Sequence, residues 1–252
     1  MNLQGFVHTM IVSGLFILSC VLFPIACAQS AGCIEGDCVD GYGTYIFPDG
    51  SKYVGQFKDG IQNGPGKSFY SDGRTFEGMY ENGKKNGFGK FKNPGGPSYE
   101  GAFKDDKLHG KGTYTYADGT IYKGDYLDDK WDGYGEVFFP DGRRYVGQVK
   151  NGELAGKGKF TWTDGRVYEG DYVADKMHGK GVFTFPTGEK YEGDLRDNHF
   201  EGKGTYIYSD GTVYEGDFKA GLPDGIGSMA YPDGRMDQGR YSKGKLISGE
   251  AQ

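Results

Sequence analysis

Outside the amino terminus, the residues of this chain equipped for chemistry are three histidines, a ladder of paired carboxylates and two cysteines five positions apart. His109 and His178 each precede a glycine, Gly110 and Gly179, at equivalent places in a repeated pattern, and His199 falls in a turn. They are spread along the chain rather than gathered beside a nucleophile and an acid, so no catalytic triad can be read, and neither a Gly-rich phosphate loop nor an H-E-x-x-H motif is present. The Gly-x-Gly runs open strands rather than helices, which removes the helix N-terminus that would hold a phosphate. Glu169 with Asp171, Glu192 with Asp194 and Glu215 with Asp217 supply hard oxygen ligands of the kind calcium takes. Their equivalents in consecutive repeats stand roughly 9–10 Å apart because a strand intervenes, too far to share one ion. The ladder is expected to be a solvated face, and the chain is expected to be no enzyme and to need no metal or cofactor.

The elements that carry these residues follow from a 23-residue spacing. Tyr53, Phe76, Tyr99, Tyr122, Tyr145, Tyr168, Tyr191 and Tyr214 stand at that interval, so eight copies of one unit run in series, each burying its apolar side only against its neighbours. In the unit from Tyr168 to Lys190, Tyr168, Gly170 and Tyr172 point one way and Glu169 and Asp171 the other, the alternation of a half-buried strand. A second strand is predicted from Gly181 to Phe185, with Phe183 and Phe185 on one side. Pro-Asp-Gly turns such as Pro140-Asp141-Gly142 join one repeat to the next, and Asp59-Gly60, Asn82-Gly83 or Asn151-Gly152 turn the chain inside a repeat. Every connection is short, so successive strands must be antiparallel neighbours.

The predicted fold is therefore all-β: an elongated, single-layer, twisted antiparallel meander of about eight to nine hairpin repeats, on the order of 80 Å long from the interstrand spacing. Two glycine columns, one through Gly147 and Gly170 and one through Gly158 and Gly181, are expected to clear room for large rings lying across the sheet. Asn93 and Gly95-Gly96-Pro97 break the pattern, and a bend or weak point is expected there.

Residues 1–34 lack Asp, Glu, Lys and Arg, and Met10 to Ala28 is mostly apolar, ending Ala26-Cys27-Ala28. Residues 1–28 are read as a secretory signal peptide, although its first ten residues carry no Lys or Arg. A lipoprotein signal at Cys20 or Cys27 and a retained membrane anchor stand beside that reading. Residues 29–35 form a short linker. Cleavage after Ala28 would leave Cys33 and Cys38 as an even pair in an oxidising compartment, where a disulfide is the expected outcome. No second Cys pair or nearby His completes a metal site. The expected placement is exported, whether periplasmic, in the cell envelope or secreted, with a lipid-anchored or membrane-anchored form as the alternative.

Glycine accounts for 47 of 252 residues, but it keeps register, and 20 Tyr with 17 Phe supply enough ring surface to order the chain. Net charge is −6 with Lys and Arg dispersed, which argues against nucleic acid and against purely electrostatic adhesion to anionic lipid.

Tyr-Glu-Gly-Asp-Tyr at 168–172 followed by His178-Gly179-Lys180-Gly181, Tyr-Glu-Gly-Ala-Phe at 99–103 with His109-Gly110-Lys111-Gly112, and Tyr-Glu-Gly-Asp-Phe at 214–218 resemble MORN (membrane occupation and recognition nexus) repeats. On this reading the array covers 36–249: a half repeat at 36–52, full repeats over 53–236 and a degenerate one at 237–249. The resemblance implies fold with high specificity and function with little, since the family includes membrane tethers, cytoskeletal scaffolds and arrays joined to enzymes. The leading expectation is an exported, non-catalytic scaffold binding a protein partner or a second copy of itself through an aromatic groove. The candidate groove is formed by Tyr122, Tyr126, Tyr145, Trp162, Tyr168 and Tyr172, with Trp131 as a further contact in a turn. Peripheral association with membrane lipid is the second reading, and an enzyme acting on envelope polymers the third.

Overall fold

The computed structural model describes residues 30–251. The expected signal segment lies outside the described residues. Twenty strands, numbered β1 to β20 in chain order, run from β1 (Gly32–Gly36) and β2 (Tyr42–Ile46) to β20 (Lys245–Ala251), and each pairs antiparallel with the next. There is no helix among the described residues, and so none long and apolar enough to cross a membrane. The chain is one open sheet, as its repeat period predicts.

One repeat explains the rest. β13 (Val167–Val173) turns through Ala174 and Asp175, both at positive φ (48° and 63°), into β14 (Lys176–Thr184). The second strand thus begins at Lys176, five residues earlier than the sequence suggests. The cause is a bulge: Gly170 pairs with Gly181, but Asp171 pairs with His178, so Gly179 and Lys180 have no opposite residue. Gly179 takes φ 62°, a left-handed value that breaks the alternation on which the strand assignment rested. The Asp171 carboxylate accepts the Lys180 N–H freed at that point (2.9 Å). Asp125, Asp194 and Asp217 do the same for Tyr134, Lys203 and Ile226, and the Gln148 amide oxygen for Lys157.

The glycine columns are the floor under the rings. A Cβ on Gly170 would stand 2.4 Å from the Tyr168 hydroxyl and 2.6 Å from the Gly181 Cα, and one on Gly181 would meet the same ring at 2.4 Å. Each tyrosine lies flat over its own strand's glycine and the partner strand's, and donates to the backbone carbonyl three residues on: Tyr168 to Asp171 (2.9 Å), Tyr99 to Ala102 (2.9 Å), Tyr214 to Asp217 (3.0 Å). The next repeat covers it edge-on, as in Tyr99–Tyr126 (5.3 Å), Tyr145–Tyr172 (5.4 Å) and Tyr191–Phe218 (5.0 Å). The start of the following strand closes the remaining side: Trp131 stacks on Tyr122 at 4.2 Å and Phe200 on Tyr191 at 3.7 Å. Such ring pairs contribute about 0.5–1.5 kcal/mol each beyond their buried area. A single-layer sheet thereby acquires a continuous core.

At the irregular repeat the ladder runs on. β6 (Lys84–Lys92) and β7 (Ser98–Lys104) pair over six residues without a break, and Asn93 N–H still donates to Pro97 O (2.9 Å). What is missing is the second turn bond, which other repeats make from glycine N–H to the aromatic carbonyl, as from Gly119 to Tyr116. The expected bend reduces to one turn short of a hydrogen bond. At the amino-terminal edge Cys33 and Cys38 are disulfide-bonded with Cα atoms 5.9 Å apart, and Cys38 packs against the first rings of the core.

Candidate interaction surface

The residues singled out for an aromatic groove do not line one. Tyr122, Tyr145 and Tyr168 are fully buried and Tyr126 and Tyr172 retain 4% exposure, because hairpin ends curl over the ring face and fill it with Trp131, Leu154, Met177 and their equivalents. Trp131 is half-buried as the lid on Tyr122. Trp162 is half-buried in the turn, against Phe160 (4.5 Å) and Phe183 (5.3 Å), with the Arg166 guanidinium 5.4 Å from its ring centre. Burial pushes the phenols of Tyr53, Tyr99 and Tyr214 up to about 12. The ring face is core, and the opposite face is the one left open.

That face holds an open groove of about 2030 Å³ along the carboxy-terminal repeats, from Tyr134 to Gln238, continuous with a smaller hollow of about 480 Å³ around Phe88, Lys111 and Tyr134. Two rows of side chains cross it strand by strand. In one, Lys157, Lys180 and Lys203 reach Asp171, Asp194 and Asp217 on the next strand at 2.6–2.7 Å. The Lys180 ammonium holds the Asp194 carboxyl below its ordinary range, and Lys203 does so for Asp217. For Asp171 burial pushes the carboxyl up, but the Lys157 contact and the Lys180 N–H outweigh it and the net shift is downward. In the other row exposed Glu169, Glu192 and Glu215 alternate with half-buried Val182, Thr205 and Ser228.

The acidic ladder is thus two things. Its glutamates are exposed, as a solvated face requires, whereas its aspartates are structural: each is bonded to a bulge N–H and to a lysine, leaving no pair of carboxylates turned toward a shared ion. Among the described residues no three His, Cys, Asp or Glu side chains converge as a metal site. His109 places its Nδ1 inside without a partner, as Tyr126 does its hydroxyl, and His199 Nδ1 lies 2.9 Å from the Asp197 carbonyl oxygen. The bulge was the hidden step, and its one signal was the Asp of Tyr-Glu-Gly-Asp recurring nine residues before the Lys of Gly-Lys-Gly.

Open sheet, buried ring column and free charged face define the class: a repeat scaffold. The MORN repeat model matches nine times, at 40–52, 53–73, 76–97, 99–121, 122–143, 145–165, 168–190, 191–213 and 214–234, and the chain belongs to that family. No curated protein matches it. Among solved structures it is similar to the wild-type TCP10 domain of Danio rerio CPAP, at 18% identity over 82% of this chain and 98% of that one (TM-score 0.46). The same domain in complex with a peptide of Danio rerio STIL matches at 21% identity over 88% and 97% (TM-score 0.36). The SAS-4 TCP domain of Drosophila melanogaster with a proline-rich motif of Ana2 matches at 16% identity over 84% and 90% (TM-score 0.22).

Proposed function

We propose that this protein is an exported, non-catalytic scaffold that holds a protein partner along the charged groove of its carboxy-terminal repeats. The observation carrying this reading is the groove itself: about 2030 Å³ of open surface crossed by side chains at a constant two-strand pitch, while the rings behind it are already used as core. Exposed glutamates beside clamped lysines give a partner fixed charges at regular intervals, which favours register and selectivity over raw affinity. Export is supported by the charge-free apolar stretch before residue 34 and by the bonded pair Cys33–Cys38, since disulfides persist outside reducing compartments. The dispersal of His109, His178 and His199 supports a role without catalysis.

Affinity capture from the native source tests the proposal, using the protein and a Glu169→Lys, Glu192→Lys, Glu215→Lys triple variant. These residues are exposed, so folding should survive and the partner should be lost. Equal capture by both overturns the groove assignment. Flotation of the processed protein with liposomes, in the absence of any partner, would favour the lipid reading instead.

A further inference from the structure

The exposed face changes character toward its amino-terminal end. Beside the groove row that reads Lys, Asp, Lys, Asp from Lys157 onward, the same row over the early repeats is apolar: Tyr42, Pro65, Met79, Phe88 and Ala102, with Gln56 the one polar member. Tyr42 is 64% exposed, Phe88 57% and Met79 42%. These residues lie on β2, on β4 (Ile61–Phe69), on β5 (Thr75–Glu81) and on β6 and β7, so they form one stripe on a face that is otherwise charged. Contiguous apolar surface of this kind marks a contact.

The neighbouring row says with what. Strand by strand across β4, β5, β6 and β7 it reads Lys67, Glu77, Lys90, Glu100, each opposite the next, with Lys67 paired to Glu77 and Lys90 to Glu100 within the chain (2.9 Å each), so that a second copy would meet two exposed ion pairs rather than free charges. Reversed, that order becomes Glu, Lys, Glu, Lys. A twofold axis parallel to the strands and passing between β5 and β6 turns the face onto itself and reverses the order of strands. It sets Lys67 against the second copy's Glu100 and Glu77 against its Lys90. The same operation brings Met79 onto the second copy's Phe88 and Pro65 onto its Ala102. One symmetry element thus pairs charge with charge and apolar with apolar, as an isologous interface requires. We infer that this face of β4–β7 is where two copies of the chain pack, sheet on sheet, in an antiparallel twofold dimer. The surface takes in the Phe88 edge of the smaller hollow but none of the residues that line the larger groove of the carboxy-terminal repeats, so the dimer leaves that groove free.

Analytical ultracentrifugation over a concentration series tests the inference, with Phe88→Asp, Lys90→Glu and the exchanged pair Glu77→Lys, Lys90→Glu. The parent should dimerise. Phe88→Asp and Lys90→Glu should each raise the dimer dissociation constant tenfold or more, Phe88→Asp at unchanged melting temperature and Lys90→Glu with a small drop from its lost pair with Glu100, and the exchanged pair should restore most of the loss in association. Mixed Met79→Cys and Phe88→Cys copies should form a heterologous disulfide under mild oxidation. A protein monomeric at 100 μM or more, as a test concentration of about that order, or a dimer indifferent to all three variants, overturns the inference. Partner capture should be the same for Phe88→Asp and the parent, which separates this result from the fate of the groove proposal.

Discussion

The two faces of this sheet obey the same 23-residue period and differ in what the period controls. On the ring side the first-strand column is fixed by contact: it holds Tyr in seven repeats and Phe76 in one, each ring lying on two glycines beneath the next repeat. On the open side the column holding Phe88 also holds Lys111, Tyr134, Lys157 and Ile226, and the ladder closes equally well over each. One column is held by contact on all sides and the other is free to vary. Uniformity marks the core of a repeat array, and drift marks the surface free to choose a partner.

The contrast is broken hardest at the glycine floor. Gly147→Val would place side-chain atoms where the Gly158 Cα (2.5 Å from the first of them) and the Tyr145 hydroxyl already stand. A loss of about 3 kcal/mol, the upper end for overpacking, is expected, read as a lower midpoint in urea titration. Removing the ring itself, Tyr168→Ala, should cost about 3–5 kcal/mol in the same assay.

A smaller effect is expected where the two faces meet. Asp171→Ala leaves the Lys180 N–H without its acceptor and Lys157 without its partner, and should destabilise the array by about 1–2 kcal/mol. On the open face alone, Glu192→Gln should change stability by less than about 0.5 kcal/mol.

Titration sharpens the same comparison from both ends of the pH scale. The phenols of Tyr53, Tyr99 and Tyr214 are raised in the folded state to about 12. Their contribution is whole below the unfolded value near 10 and is lost as pH climbs from there through 12. The carboxyls of Asp194 and Asp217 are lowered, so their contribution is present above the ordinary carboxyl range and disappears as pH falls through the folded values. Melting temperature should therefore be flat between pH 6 and 9 and drop on both sides, more steeply in alkali, as buried phenols must ionise in the core.

Most of the fold could be read directly, because period, strand alternation and Pro-Asp-Gly turns all point to one meander. The site could not, for two physical reasons. The bulge at Gly179 moves the start of each second strand, so alternation counted from Gly181 describes only its latter half. Alternation puts the aromatic residues on one side of the sheet but carries no sign that the hairpin ends lay Trp131 and Phe200 over the rings. The residues that remain exposed, Phe88, Tyr134 and the lysines of the Lys–Asp row, are individually ordinary and become visible only once every strand is aligned with its neighbours.

Each repeat is held by sideways contact with the strands and rings of its neighbours. Deleting one full period, residues 145–167, joins Arg144 to Tyr168 in the register that Arg144 has with Tyr145. The shortened protein should keep its β-rich circular dichroism and a cooperative thermal transition, with a midpoint displaced by only a few degrees. A deletion variant that is unfolded, or that melts without cooperativity, would contradict the account.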